Sequence, residues 1–303
     1  MRELLFDNSL RVRRSVFNVA VFYMILVGFL YSLLLGRYVQ NTGVYLGLSV
    51  IQPIVVFGVP AAVVLFREKK FSASLPKVSF QAPAIRKRDF LYAVLIAVFG
   101  WLFYTYFSYM IEGFRAAITS SLSLNFSMRM KWWEYLIAIF SAGILAVSLR
   151  EYFFRYLGRK AYGRTVWGYL LAVLLSAMVC YDFTIAFRLL ILGALSAAVY
   201  FGSGRMVFPF LVSFIFESLQ VVLPSVAILP LSVYGVTSVE MALVYGLFGG
   251  AISMVLAVGI FWILKLMRFK VVKKKFVFKK QDILTYVLCF VAFVGLLIWN
   301  KFI

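Results

Sequence analysis

Histidine is absent from all 303 residues. That absence removes imidazole acid–base catalysis, Ser–His and Cys–His nucleophile pairs, and every His-containing metal site. Cysteine is nearly absent as well. Cys180 and Cys289 both sit inside apolar runs, where a thiol packs as a small hydrophobe, so neither a disulfide nor a redox role is expected. Acids are scarce: 11 Asp and Glu stand against 31 Lys and Arg, a formal charge of +20. Charged residues of every kind make up only 14%, against about a quarter in soluble domains.

What fills the chain instead is hydrophobic, at 64% of positions. A bilayer-spanning helix needs roughly 20 mostly apolar residues, and the apolar runs here recur at that length. They are Val16–Leu35, Val44–Phe66, Phe90–Ile111, Trp133–Leu157, Val166–Phe183, Ile185–Phe201, Met206–Leu229, Met241–Met267 and Ile283–Asn300. The sequence predicts an all-α, polytopic transmembrane helical bundle of eight or nine spans, forming one integral membrane domain over residues 1–303. Arg11, Arg13 and Arg14 precede a full-length apolar segment with no small-residue cleavage site, the pattern of a retained signal anchor.

The basic residues lie between the apolar runs, so anionic lipid headgroups rather than nucleic acid are the expected partner. With the N-terminus cytoplasmic, 23 of them fall in inside segments and six outside, with Arg150 and Arg155 within the fourth span. This asymmetry predicts a cytoplasmic N-terminus and an external C-terminus. Trp132, Trp133, Trp167 and Trp299 fall near span ends, as interface anchors do. The basic cytoplasmic loop Lys265–Lys280 carries eight cations and no acid, with Lys273, Lys274, Lys275, Lys279 and Lys280 as headgroup contacts. The Gly246/Gly250 and Gly249/Ser253 pairs set small residues on one face of the eighth span, a signature of close helix packing.

Ionisable groups inside spans are costly and therefore candidates for function. Glu151 and Arg155 are four apart and can pair on one helix face. Asp182 and Thr184 end the fifth run and Arg188 opens the sixth, while Ser213 and Glu217 are four apart on the seventh. Arg150, Glu151, Arg155, Asp182, Arg188 and Glu217 together form a candidate polar network, with three acids against three arginines.

The segment of about residues 133–220 resembles the CPBP family of membrane proteins, also called Abi or CAAX-protease-and-bacteriocin-processing proteins. Its motifs are Glu-Glu-x-x-x-Arg, Phe-x-x-x-His and His-x-x-x-Asn on three helices. Arg150-Glu151-Tyr-Phe-Phe-Arg155 resembles the first, and Leu175–Val179 resembles the lead-in to the second. Tyr200-Phe-Gly-Ser203-Gly204 with Pro209 resembles the stretch before the third. The resemblance implies a CPBP-like core in which paired glutamates and two histidines would activate water for peptide cleavage. Here Arg150 stands at the first glutamate, Cys180 at the phenylalanine, Thr184 and Ser213 at the histidines, and Glu217 at the asparagine. An arginine cannot serve as a base, and a hydroxyl cannot replace imidazole near neutral pH.

The expected protein is thus a CPBP-like pseudoprotease in a prokaryotic plasma membrane. It would bind or scaffold a membrane protein, a lipid or a lipidated peptide, without metal or cofactor. A CAAX-type endopeptidase with a rearranged carboxylate site at Glu151, Asp182 and Glu217 is the enzymatic alternative. A transporter or permease subunit is the third, though no inverted repeat or matched pair of broken helices accompanies it. For topology, cysteines introduced after Lys280 or between Lys273 and Lys275 should react with impermeant reagents from the cytoplasmic side alone. External modification there would reverse the orientation.

Overall fold

The computed structural model describes residues 2–38, 41–72, 87–119, 131–162, 165–180, 183–223, 238–267 and 280–302. Within them the chain is helical, without strands, and the helical rods follow the nine apolar runs in order. They are α1 (Arg2–Arg37), α2 (residues 42–72), α3 (Lys87–Thr119), α4 (residues 132–162), α5 (Val166–Met178), α6 (Phe183–Ser203), α7 (Val207–Val222), α8 (Val239–Leu266) and α9 (Lys280–Phe302). Six segments are long and apolar enough to cross a membrane: Arg13–Leu35, Gly43–Arg67, Lys87–Ile118, Trp132–Tyr162, Ile185–Ser203 and Val239–Leu266. This is an integral membrane protein built as an all-α bundle.

Two of the expected runs end early. The run Val166–Phe183 stops at Met178, because the helix breaks before α6 starts at Phe183. Thirteen residues rise about 20 Å at 1.5 Å each, short of the roughly 30 Å hydrocarbon core. The run Met206–Leu229 ends as a helix at Val222, and residues 224–237 lie outside the described residues, as does most of the basic loop.

Local chemistry explains several of the boundaries. Thr165 caps α5 by accepting from the Gly168 N–H at 3.0 Å, and Ser238 caps α8 by accepting from the Met241 N–H at 3.2 Å. After Ser203, Gly204 takes a left-handed φ of 68°, which a residue without Cβ adopts freely. Its N–H returns to the Tyr200 carbonyl at 2.8 Å, closing α6 and turning the chain into α7.

In α2, Pro60 lacks the N–H that would return to Val56, and the Val59 N–H reaches back five residues to the Ile54 carbonyl. The result is a π-helical turn over Ile54–Gly58. Two further π-helical stretches, Ile139–Ala146 and Tyr152–Leu157, interrupt α4 on either side of Val147–Glu151. Such turns are rare and widen the helix locally.

Among the described residues the apolar interior forms two large clusters and a small third one at Ala116 and Ala242. One large cluster gathers Phe17, Val21 and Met24 of α1 with Val56, Phe153, Phe154, Leu157, Leu175 and Cys289, so it draws on α1, α2, α4, α5 and α9. Phe17 stacks on Phe153 at 4.6 Å and meets Tyr162 edge-on at 5.3 Å. The Tyr162 hydroxyl also donates to the Asn18 side-chain oxygen. The other large cluster gathers Ile96, Trp101, Leu195, Val199, Phe208, Val212, Phe216 and Ile260 from α3, α6, α7 and α8. Cys289 is buried in the first of these clusters, and Cys180 is partly buried.

Helices α3 and α8 run together along the longest packed pair, and glycines allow their approach. A methyl group on Gly249 would lie 2.6 Å from the Tyr106 carbonyl oxygen, and one on Gly113 would lie 2.5 Å from that of Ala242. Backbone at that distance cannot yield as a flexible side chain would. Gly249→Val should therefore lower thermal stability in detergent by about 1–3 kcal/mol, the usual cost of overpacking. Gly47→Ala, with nothing within 4 Å of the new methyl, should leave stability unchanged or raise it. A thermal melt of the two variants beside the parent checks the pair.

Candidate functional site

Three buried charges of α4, Arg150, Glu151 and Arg155, lie between residues of the two large apolar clusters. Val147–Glu151 is the short α-helical piece between the two π-helical stretches of α4, and both Arg150 and Glu151 are buried, at 7% and 1% exposure. Consecutive helical residues point about 100° apart, so the two side chains address different groups on α7. The Ser213 hydroxyl donates to Glu151 Oε1 at 2.8 Å, while Arg150 Nη1 donates to Glu217 Oε1 at 3.0 Å. Ser213 and Glu217 are one turn apart on the same face of α7, and both are buried.

Arg155 takes the other side of Glu151. Its Nε donates to Glu151 Oε2 at 3.2 Å and to Ser196 Oγ at 3.0 Å, and its Nη2 donates to the Gly193 carbonyl at 2.9 Å. Both carboxylate oxygens of Glu151 are thereby engaged, with Arg150 Nε a further 3.7 Å from Oε1. Arg188 of α6 approaches Glu217 Oε2 at 3.8 Å and is partly exposed. One connected array, running from Arg155 through Glu151 to Ser213 and from Arg150 through Glu217 to Arg188, joins α4, α6 and α7.

Of the residues that the sequence singles out, Arg150, Glu151, Arg155, Arg188, Ser213 and Glu217 come together here. Asp182 lies outside the described residues. Thr184 is the second residue of α6, and its side chain is likewise outside the description. The resemblance implies that positions 180 and 184 share one helical turn. In the structure α5 ends at Met178, Cys180 follows the break, and Thr184 belongs to the next helix. Lys273, Lys274, Lys275 and Lys279 lie outside the described residues, and Lys280 opens α9 without a described side chain.

Two participants escape sequence reasoning. Gly193 offers a carbonyl that a larger residue would crowd, since a methyl there would sit 3.2 Å from Arg155 Nη2 and 3.1 Å from Ser176 Oγ. Ser196, wholly buried, receives the Arg155 Nε–H and turns its own hydroxyl towards the Gly193 carbonyl at 3.3 Å. A serine three residues after a glycine in an apolar helix is the only trace that either leaves.

Arg159, one turn beyond Arg155, donates to the Tyr200 hydroxyl at 2.8 Å and lies over that ring at 5.4 Å. It ties α4 to the C-terminal end of α6, the segment that Gly204 terminates.

Among the described residues, no group of three His, Cys, Asp or Glu side chains is placed to hold a metal ion. The arrangement does electrostatic and hydrogen-bonding work: two carboxylates are each held between guanidinium groups and fix the relative rotation of three helices. No family model, curated protein or solved structure matches this chain.

The array makes a double-mutant cycle informative. Glu151→Gln and Arg155→Met should each lower the melting temperature in detergent, and the double change should recover part of the loss. The cost of stranding one partner of a buried ion pair is about 3–5 kcal/mol in soluble cores. Interhelical hydrogen bonds in bilayers average only about 0.6 kcal/mol, so the measured values should fall between these bounds. Thermally silent single changes with no coupling would remove the structural role.

Proposed function

We propose that this chain is a CPBP-like bundle that has lost proteolysis and holds another membrane component, either a membrane protein, a lipid or a lipidated peptide. What carries the reading is the state of Glu151. It stands at the second glutamate of the family's Glu-Glu-x-x-x-Arg motif, yet it is buried and its two oxygens accept from Ser213 and Arg155. A general base has to reach the proton it removes. Here the neighbours that would hold a water with it are an arginine and a serine, and Arg150 is itself hydrogen-bonded to Glu217.

On the same reading all nine helices belong to the membrane domain, with the N-terminus cytoplasmic and the C-terminus external in a prokaryotic plasma membrane. The three shorter apolar helices, Val166–Met178, Val207–Val222 and Ile283–Trp299, then cross by packing against longer neighbours. Residues 133–220 supply the CPBP-like core, and the flanking helices enclose it.

Gentle detergent extraction followed by mass spectrometry of what co-purifies tests the proposal directly. A membrane protein or lipid should be recovered in fixed stoichiometry, and prenylated peptides incubated with the purified chain should stay intact. Cleavage that Glu151→Ala abolishes would overturn the reading in favour of a peptidase with rearranged carboxylates.

A further inference from the structure

A separate feature lies between α1 and α2, sharing no residue with the charge array. It is a cleft of about 320 Å³. Val19 and Ala20 of α1 form one wall and Val59 and Val63 of α2 the other, with Pro60 between. Pro60, just after the π-helical turn, therefore also faces the cleft. The walls are largely aliphatic, with Val16 and Tyr23 of α1 completing them, and Val19 and Val63 are exposed by 62% and 50%.

One end of the cleft is different. Ser15 and Arg67 line it, and both sit at the same face of the membrane. Ser15 is near the start of the apolar segment Arg13–Leu35, and Arg67 is the last residue of Gly43–Arg67. Arg67 is exposed, and among the described residues no carboxylate lines the cleft. From Arg67 back to Val59 the helix rises about 12 Å, a depth that passes from headgroups into hydrocarbon.

We propose that this cleft binds one anionic phospholipid, with an acyl chain against Val19, Ala20, Val59 and Val63 and the phosphate at Arg67. The aliphatic walls suit a hydrocarbon tail, which loses little by leaving other tails. The guanidinium offers paired N–H donors to phosphate oxygens. A zwitterionic lipid fits the same walls and gains less at Arg67, because its own cation offsets the phosphate.

The test uses the full chain, purified in detergent and titrated with phosphatidylglycerol or with phosphatidylcholine of the same chain length, read by native mass spectrometry. Phosphatidylglycerol should bind about fivefold more tightly, the ratio expected of one basic residue near an anionic surface. Arg67→Gln should bring phosphatidylglycerol down to the phosphatidylcholine level while leaving the lipid-free melting temperature unchanged. Val63→Trp, or Val19→Trp from the opposite wall should the first fail to fold, should lower retention of both lipids. The combined variant Lys273→Gln, Lys274→Gln, Lys275→Gln should keep the preference. Undiminished preference in Arg67→Gln, wild-type retention in a folded tryptophan variant, or loss of the preference in the triple-lysine variant alone would each overturn the site.

Discussion

A carboxylate in the middle of an apolar bundle has no water to turn to, and Glu151, at 1% exposure, has to find every partner within the protein. Leaving such a group unpaired in hydrocarbon costs far more than any single contact elsewhere in the fold returns. Its demands reach outward in three directions: along α4 to Arg155, across to Ser213 on α7, and through Arg155 to Gly193 and Ser196 on α6. Arg150, brought in by the same short helical piece, creates a second demand, which Glu217 meets. Three helices are held in mutual orientation because two adjacent residues of one of them carry charge.

The flanking backbone is consistent with that constraint. Arg150 and Glu151 lie between two π-helical stretches, which reset the rotation of α4 before and after the charged piece. Phe153 and Phe154 then turn into the cluster around Phe17, while Ser213 and Glu217 keep α7 against α4 and its Phe216 in the other cluster. Apolar burial fills both sides, and the polar seam decides how the sides face each other.

Much of this was readable in the residues and some of it was not. Run length and composition mark the helices, because a bilayer demands about 20 apolar residues whatever the fold. Spacing within one helix is equally legible: Glu151 with Arg155, and Ser213 with Glu217, follow from a four-residue interval. Partners across helices leave no such record. Nothing in the order of residues ties Arg150 to Glu217, 67 positions away, or Arg155 to Ser196. The end of α5 was also hidden, since an apolar run reads the same whether its helix continues or breaks at Val179. The π-helical stretches of α4 had no proline to announce them, whereas Pro60 gives a physical reason for the one in α2. Asp182, counted among three balancing acids, lies outside the described residues.

Why a bundle should keep charge at such depth follows from what the surrounding lipid cannot do. Lipid tails are as apolar as leucine, so two apolar helix faces gain little by choosing each other over lipid. Close packing supplies one answer, and α3 with α8 uses it through Gly113 and Gly249. Helix α4 takes the other. Rotating it by one residue position, about 100°, would carry Glu151 from Ser213 towards apolar side chains and separate Arg150 from Glu217. Buried ion pairs contribute little net stability compared with well-packed apolar side chains, and their better-attested use is to fix register. The seam at α4, α6 and α7 fits that use: such a rotation would give up the Ser213–Glu151 and Arg150–Glu217 contacts that the present arrangement makes together.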